Sequence, residues 1–123
     1  MAWSFSDDKP IFQQIVDIIT VKILSGQYRS GDKLLPVREF AVEAGVTPTT
    51  MQRALTAIED TGLIYTRRGD GRYVAENLDV ADEIRKEYVK QNTKEYILRL
   101  RALGLDDEEI LGAVNTGLKK GGN

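Results

Sequence analysis

The chain has 123 residues, of which 29% are charged, with 17 basic against 19 acidic side chains and neither histidine nor cysteine. Without imidazole or thiol it has no base for a Ser-His or Cys-His pair, no thiolate nucleophile, no soft ligands for structural zinc and no disulfide. A formal charge of −2 gives no bulk basic footprint for nucleic acid, so any DNA-binding signal must be local.

No apolar run approaches the roughly 20 residues of a membrane-spanning helix, and the opening MAWSFSDDKP lacks the layout of a secretion signal. A cytoplasmic protein without metal or cofactor is expected, built as one small domain with an appendage. Apolar residues at Phe12, Ile15, Val16, Ile19 and Ile23 lay one stripe along a helix over residues 9–25, which Gly26 stops. The segment QYRSGDKLL reads as turn chemistry. A short helix is predicted over 36–44, with Pro36 at its first position, Val37, Phe40 and Ala41 facing inward, and Gly45 as its stop.

The third helix opens with Thr47 as N-cap and Pro48 at the first position, and closes at Gly62. Met51, Leu55 and Ile58, with Ala54 beside them, form its buried stripe; Thr49, Gln52, Arg53, Thr56 and Asp60 lie away from it. Its first turn carries small hydroxyls and no acid, which leaves the positive end of the helix dipole open to an external anion such as phosphate.

After Gly62 the period changes. Residues 63–67 and 72–75, joined through Gly69-Asp70-Gly71, predict a hairpin whose tip is ringed by Arg67, Arg68 and Arg72. Helical periodicity resumes at Asp79 and runs to about Leu103 through Val80, Ile84, Tyr88, Ile97 and Leu100. The stripe is interrupted at residues 91–93, where the helix either bridges two packing environments or kinks. Gly104 stops it. Asp106 and Glu109 then make a capping box, and Leu105 with Ile110 a hydrophobic staple. A last helix follows from Asp107 to about Thr116, burying Ile110, Leu111 and Val114, with a frayed GLKKGGN tail. The change of period places a domain boundary at Asn77-Leu78, giving domains over 1–78 and 79–123, in each of which acid exceeds base by one.

Three helices, the second and third joined by a tight turn at 44–47, and then a hairpin form the pattern of a winged helix-turn-helix. The expected fold is therefore mainly α with a small β-hairpin, followed by a two-helix C-terminal dimerisation tail. The third helix would enter the major groove with its N-terminal side chains at base edges. The wing would flank the backbone or enter the minor groove, whose negative potential favours arginine.

The residues also carry a family resemblance. Pro10-Ile11-Phe12 with Gln14-Ile15, ILSGQYRSGDKL, PVRE, GVTPTT and GLIYTRRGDGRYV together resemble the DNA-binding domain of the GntR family of bacterial transcription regulators, over residues 10–75. The resemblance implies DNA contacts from Arg38, Thr47, Thr49, Thr50 and Gln52, and from Gly69 with its neighbours Arg67, Arg68 and Arg72. Physical chemistry assigns roles: Arg38 and Thr47 as phosphate clamps, Gln52 as a bidentate reader of adenine, and Arg53 on a guanine or a phosphate. Family members usually have a basic residue where this chain has Pro48, and often another where it has Gln52. The YtrA-like branch is similar to this chain in its proline, followed by Thr and Gln, and in its short helical tail. That kinship implies a repressor of a transporter-type operon.

Bland readings stand beside these. Arg38 could pair with Glu39 or Glu43, Thr49 and Thr50 could be ordinary first-turn residues, and the wing arginines could be a solvated hairpin end. Arg68-Gly69-Asp70 spells an adhesion tripeptide by chance, and Tyr88 and Tyr96 suit packing better than a ligand box. The tail has too little core to stand alone, so Val80, Ile84, Tyr88, Ile97 and Leu100, with Ile110, Leu111 and Val114, are expected to bury against a second copy. The expected partners are a palindromic double-stranded operator, that second copy and a small-molecule effector near residues 91–93, with no membrane. No pair of residues has a catalytic spacing, so no enzyme is expected. The competing function is a winged-helix adaptor for protein contacts, which the acidic pI of about 5.2 favours and the basic wing opposes.

Overall fold

The computed structural model describes residues 2–121, apart from the side chain of Leu78. The elements are α1 (Ile11–Leu24), α2 (Val37–Ala44), α3 (Pro48–Thr61), β1 (Ile64–Arg67), β2 (Gly71–Val74), α4 (Leu78–Ala102) and α5 (Asp107–Lys120). They form two compact units, Met1–Glu83 and Ile84–Asn123.

The first unit is organised around α3, on which α1 and α2 both pack. Met51, Ala54, Leu55 and Ile58 are buried there, which is the stripe expected from their spacing. Ile15, Ile19 and Ile23 of α1 and Phe40, Ala41 and Ala44 of α2 meet that stripe, and Leu63, Ile64 and Val74 close the core from the hairpin. Phe12, Val16 and Val37 reach only half-burial. Thr47 caps α3 as expected: its hydroxyl accepts from the Thr50 N–H, and Pro48 follows at the first helical position. Pro36 differs from expectation. Its ψ of 151° is extended, so it is the cap of α2 and Val37 is the first helical residue.

Residues ahead of α1 belong to this unit. The Trp3 N–H donates to the Ala44 carbonyl at 3.1 Å, and the indole meets Phe40 edge-on at 5.9 Å with the Lys22 ammonium 4.4 Å over it. Ala2 thereby lies over Gly45, the glycine of the helix-turn-helix turn. At a φ of 79°, with a Cβ there falling 2.6 Å from that of Ala2, position 45 has neither the backbone conformation nor the space for a side chain.

β1 and β2 are antiparallel, with Tyr65 opposite Tyr73 and Thr66 opposite Arg72. The expected strand ends at Leu63 and Ala75 fall just outside the strands, although the Ala75 N–H still donates to the Leu63 carbonyl at 2.8 Å. The segment expected to be only a turn also pairs. Lys33 bridges Tyr73, the Leu34 N–H donates to the Arg72 carbonyl at 2.9 Å, and the Val74 N–H donates to the Asp32 carbonyl at 2.8 Å. Residues 31–34 thus line the free edge of β2.

The two compact units divide inside α4, whose start packs on the winged unit. A Cβ at Gly62 would lie 3.5 Å from a Val80 methyl. Asn77 caps α4, its side-chain oxygen accepting from the Asp79 N–H at 2.8 Å. α4 is a single helix through residues 91–93, without a break. In the second unit the capping box is present: the Asp106 N–H donates to Glu109 Oε1 at 3.0 Å and the Glu109 N–H to Asp106 Oδ1 at 2.9 Å. α5 continues to Lys120, so residues 117–120 are helical rather than frayed, with Lys119 and Lys120 complementing the dipole at its last turn. The last two residues of the expected frayed tail lie outside the described residues. No helix among the described residues is long and apolar enough to cross a membrane.

Candidate nucleic-acid interface

The sequence-predicted residues lie on α2, at the start of α3 and in the hairpin of the first unit. At the start of α3, Thr49, Gln52 and Arg53 are exposed, and the first turn contains no acid. Thr47 and Thr50 are occupied with each other. The Thr47 hydroxyl donates to Thr50 Oγ1 at 3.0 Å while accepting from the Thr50 N–H at 3.2 Å, which leaves Thr50 half-buried. Arg38, at the second position of α2, is exposed and makes no ion pair among the described residues, so pairing with Glu39 or Glu43 does not occur. Arg53 lies with its guanidinium 3.7 Å over the Phe12 ring, which holds the end of its side chain against α1.

The wing is a stiffened surface. Tyr65 and Tyr73, direct cross-strand partners, stack with ring centroids 5.9 Å apart. The Arg67 guanidinium lies 4.0 Å over the Tyr73 ring and donates to the Tyr65 hydroxyl at 3.1 Å. That hydrogen bond is the largest contribution holding Arg67 above its ordinary pKa. Arg68 has no partner among the described residues, and Gly69 next to it has a φ of 75° and open space on its Cβ side. At the tip, Asp70 accepts from Lys33 Nζ at 2.8 Å and from the Tyr73 hydroxyl at 2.6 Å. Those two donors, Lys33 first, hold the Asp70 carboxyl below the usual carboxylate range, and Asp70 in turn raises Lys33 and Tyr73.

Arg72 is placed differently from the other wing arginines. Its side chain is 17% exposed and turned onto α3, where Nε donates to Glu59 Oε1 at 3.2 Å. The other carboxylate oxygen of Glu59 accepts from Thr66 Oγ1 at 2.8 Å. Thr66 and Arg72 are opposite one another in the hairpin, so one carboxylate of α3 grips both strands at the same level. These donors, Thr66 first and then Arg72, lower the Glu59 pKa. Proximity in sequence groups Arg72 with the tip. No local signal separates it from Arg67, because its partner lies thirteen residues away in the preceding helix.

A helix-turn-helix whose reading helix opens on an acid-free first turn, followed by a basic wing, defines the DNA-binding head of a transcription regulator. Residues 11–74 match the family described as bacterial regulatory proteins, gntR family, and the chain belongs to that family. It is 35% identical over 112 residues to the uncharacterized HTH-type transcriptional regulator YhcF of Bacillus subtilis, spanning 91% of this chain and 93% of that protein. It is 32% identical to the HTH-type transcriptional repressor YtrA of the same organism, over 82% of this chain and 78% of YtrA. A solved GntR family transcriptional regulator from Listeria monocytogenes superposes with a TM-score of 0.85 at 42% identity, covering 91% of this chain and 98% of that one. These relatives are regulators and not enzymes, and the similarity to YtrA extends into the helical tail, as the proline at position 48 and the short tail imply.

Proposed function

We propose that the chain acts as a homodimeric repressor of a transporter-type operon, reading a palindromic operator with residues 47–61 in the major groove and 67–72 at the minor groove. The observation that carries this reading is the acid-free first turn of α3, with Thr49 and Gln52 exposed on it, in one unit with a wing that presents Arg67 and Arg68. Gln52 reads a base edge, Thr49 contacts a base or its methyl, and Arg38 clamps phosphate. Thr47 and Thr50 hold the first turn in shape and offer it to the backbone. Arg53, anchored on Phe12, serves phosphate rather than a base, because its guanidinium is already committed to a ring on α1. Repression and the operon type rest on kinship to YtrA alone.

Dimerisation through the tail is supported by α5. Leu111, Val114 and Leu118 recur on one side of it at 66%, 41% and 69% exposure, and Ile110 is the one buried residue among the described part of that unit. Val80, Ile84, Tyr88, Ile97 and Leu100 are half-buried and complete the seam. Two copies would set their reading helices about one turn of DNA apart, roughly 34–36 Å. Gel shift against the promoter of its own gene, with sedimentation at micromolar concentration, tests the proposal. A retarded, sequence-dependent band and a dimer are expected. A monomer, or no preference over unrelated duplex, overturns it.

A further inference from the structure

We infer that Lys33 forms a third backbone-binding position of the wing, a phosphodiester site for which Asp70 is the resting counter-ion. The inference rests on the DNA-reading function proposed above and adds to it a residue from outside the hairpin. Nothing in the local sequence of Lys33 marks it, since it lies in the segment between α1 and α2. Its bridge to Tyr73 brings it to the free edge of β2. Its stem then runs across Gly71, where a Cβ would fall 3.1 Å from Lys33 Cε, so the bare glycine leaves the path by which the ammonium reaches the wing tip.

There Lys33 Nζ joins Arg67 and Arg68 around a single acid. Asp70 touches Lys33 at 2.8 Å and lies 3.7 Å from the Arg67 guanidinium. Three cations against one anion leave the tip with a net positive charge of two. The Lys33 and Asp70 side chains are 49% and 35% exposed, so their pair is open to water and to a competing anion. An exposed pair of this kind is worth little, about 0–1 kcal/mol. A DNA phosphate likewise offers the ammonium an anionic oxygen, and its neutralisation releases condensed counterions as well. Phosphate therefore displaces Asp70 from Lys33, while the Tyr73 hydroxyl keeps its hold on Asp70 and preserves the shape of the tip.

The test measures binding of the full-length chain to a fluorescein-labelled mixed-sequence duplex of about 40 base pairs by anisotropy over a salt series. Lys33→Gln is expected to make the slope of log K against log salt shallower by about 0.9 for each bound copy, and to weaken binding about eightfold per copy at ~0.1 M salt. Asp70→Asn is expected to tighten binding about two- to fivefold, the worth of an exposed ion pair. The same substitution in the Lys33→Gln background is expected to tighten it less, since no ammonium is left to release. An unchanged slope in Lys33→Gln overturns the phosphate contact. Weaker binding in both single variants with wild-type slopes makes the pair a purely structural brace, which also overturns the inference. Equal gains from Asp70→Asn in both backgrounds overturn the exchange. Failure of the wild-type chain to bind the duplex at low salt is a separate result, which removes the DNA-reading proposal itself.

Discussion

Replacing Glu59 tests whether α3 and the wing are held as one body. At 3.2 Å the Glu59–Arg72 attraction is about 1 kcal/mol in bulk water and about 5 kcal/mol at an effective dielectric near 20. With 17% and 32% of the two side chains exposed, desolvation and lost rotamer freedom offset most of this, leaving roughly 1–2 kcal/mol net. Glu59→Gln keeps an acceptor and the shape but removes the charge, so it should cost about 1 kcal/mol. Glu59→Ala also leaves a part-buried guanidinium and the Thr66 hydroxyl without their acceptor, and should cost about 2 kcal/mol. The pH dependence follows from the sign of the shift. Glu59 titrates below its ordinary value of 4.5 in the folded chain, so its contribution is fully present above that value and is lost as pH falls through the lowered one. The gap between wild type and Glu59→Gln should therefore be constant from neutral pH to about pH 5 and narrow as pH falls below the ordinary value of 4.5. Urea unfolding followed by the emission of Trp3, the single tryptophan, reports on the winged unit alone. With a slope near 1 kcal/mol per molar, the Gln variant should melt about 1 M earlier at neutral pH. Coincident midpoints at pH 7, or a gap that persists unchanged to about pH 3, would refute the clamp.

The remaining expectations concern other links of the chain. Gly45→Ala should destabilise the first unit by about 1–2 kcal/mol and expose Trp3, because the turn needs a positive φ and Ala2 fills the space; an unshifted thermal midpoint and emission maximum would contradict it. Gln52→Ala should relax discrimination at one or two base pairs at a cost of ~1–3 kcal/mol, whereas Arg38→Ala should weaken all operator variants alike and lower the salt slope. Equal losses across operator variants in both would remove that division of labour. Leu111→Asp combined with Leu118→Asp should convert a dimer to a monomer in sedimentation while the helix content of the chain is retained, since both side chains are exposed; an unchanged sedimentation coefficient would place the seam elsewhere.

What could be read without coordinates was whatever local chemistry decides. Thr47-Pro48 opens α3, Asp106 and Glu109 box α5, and the spacing of Met51, Leu55 and Ile58 marks a buried stripe, because each needs only residues within a turn or two. The proline of α2 was legible as a start but not as a position, since cap and first helical residue differ by one ψ angle. Longer range was opaque. The pairing of residues 31–34 with β2 joins positions about forty apart, and its only apolar trace is Leu34. Leu118 falls in the segment expected to be frayed, although its seven-residue step from Leu111 continues the exposed stripe of α5.

The arginines show why residue type alone overstates a binding surface. Five of them, Arg38, Arg53, Arg67, Arg68 and Arg72, are all expected as DNA contacts in an otherwise acidic chain. The fold divides them. Arg38 and Arg68 have no protein partner among the described residues, and so give up no protein contact to meet a phosphate. Arg67 and Arg53 are pinned on aromatic rings, which limits their reach but spares the entropy of ordering a long side chain on contact. Arg72 is committed to Glu59, and removing it from there would cost more than an exposed phosphate contact returns. With Thr66 opposite it, it ties both strands of the wing to α3. The affinity of the head for a backbone therefore depends less on how many arginines surround the tip than on how many were left without a partner by folding.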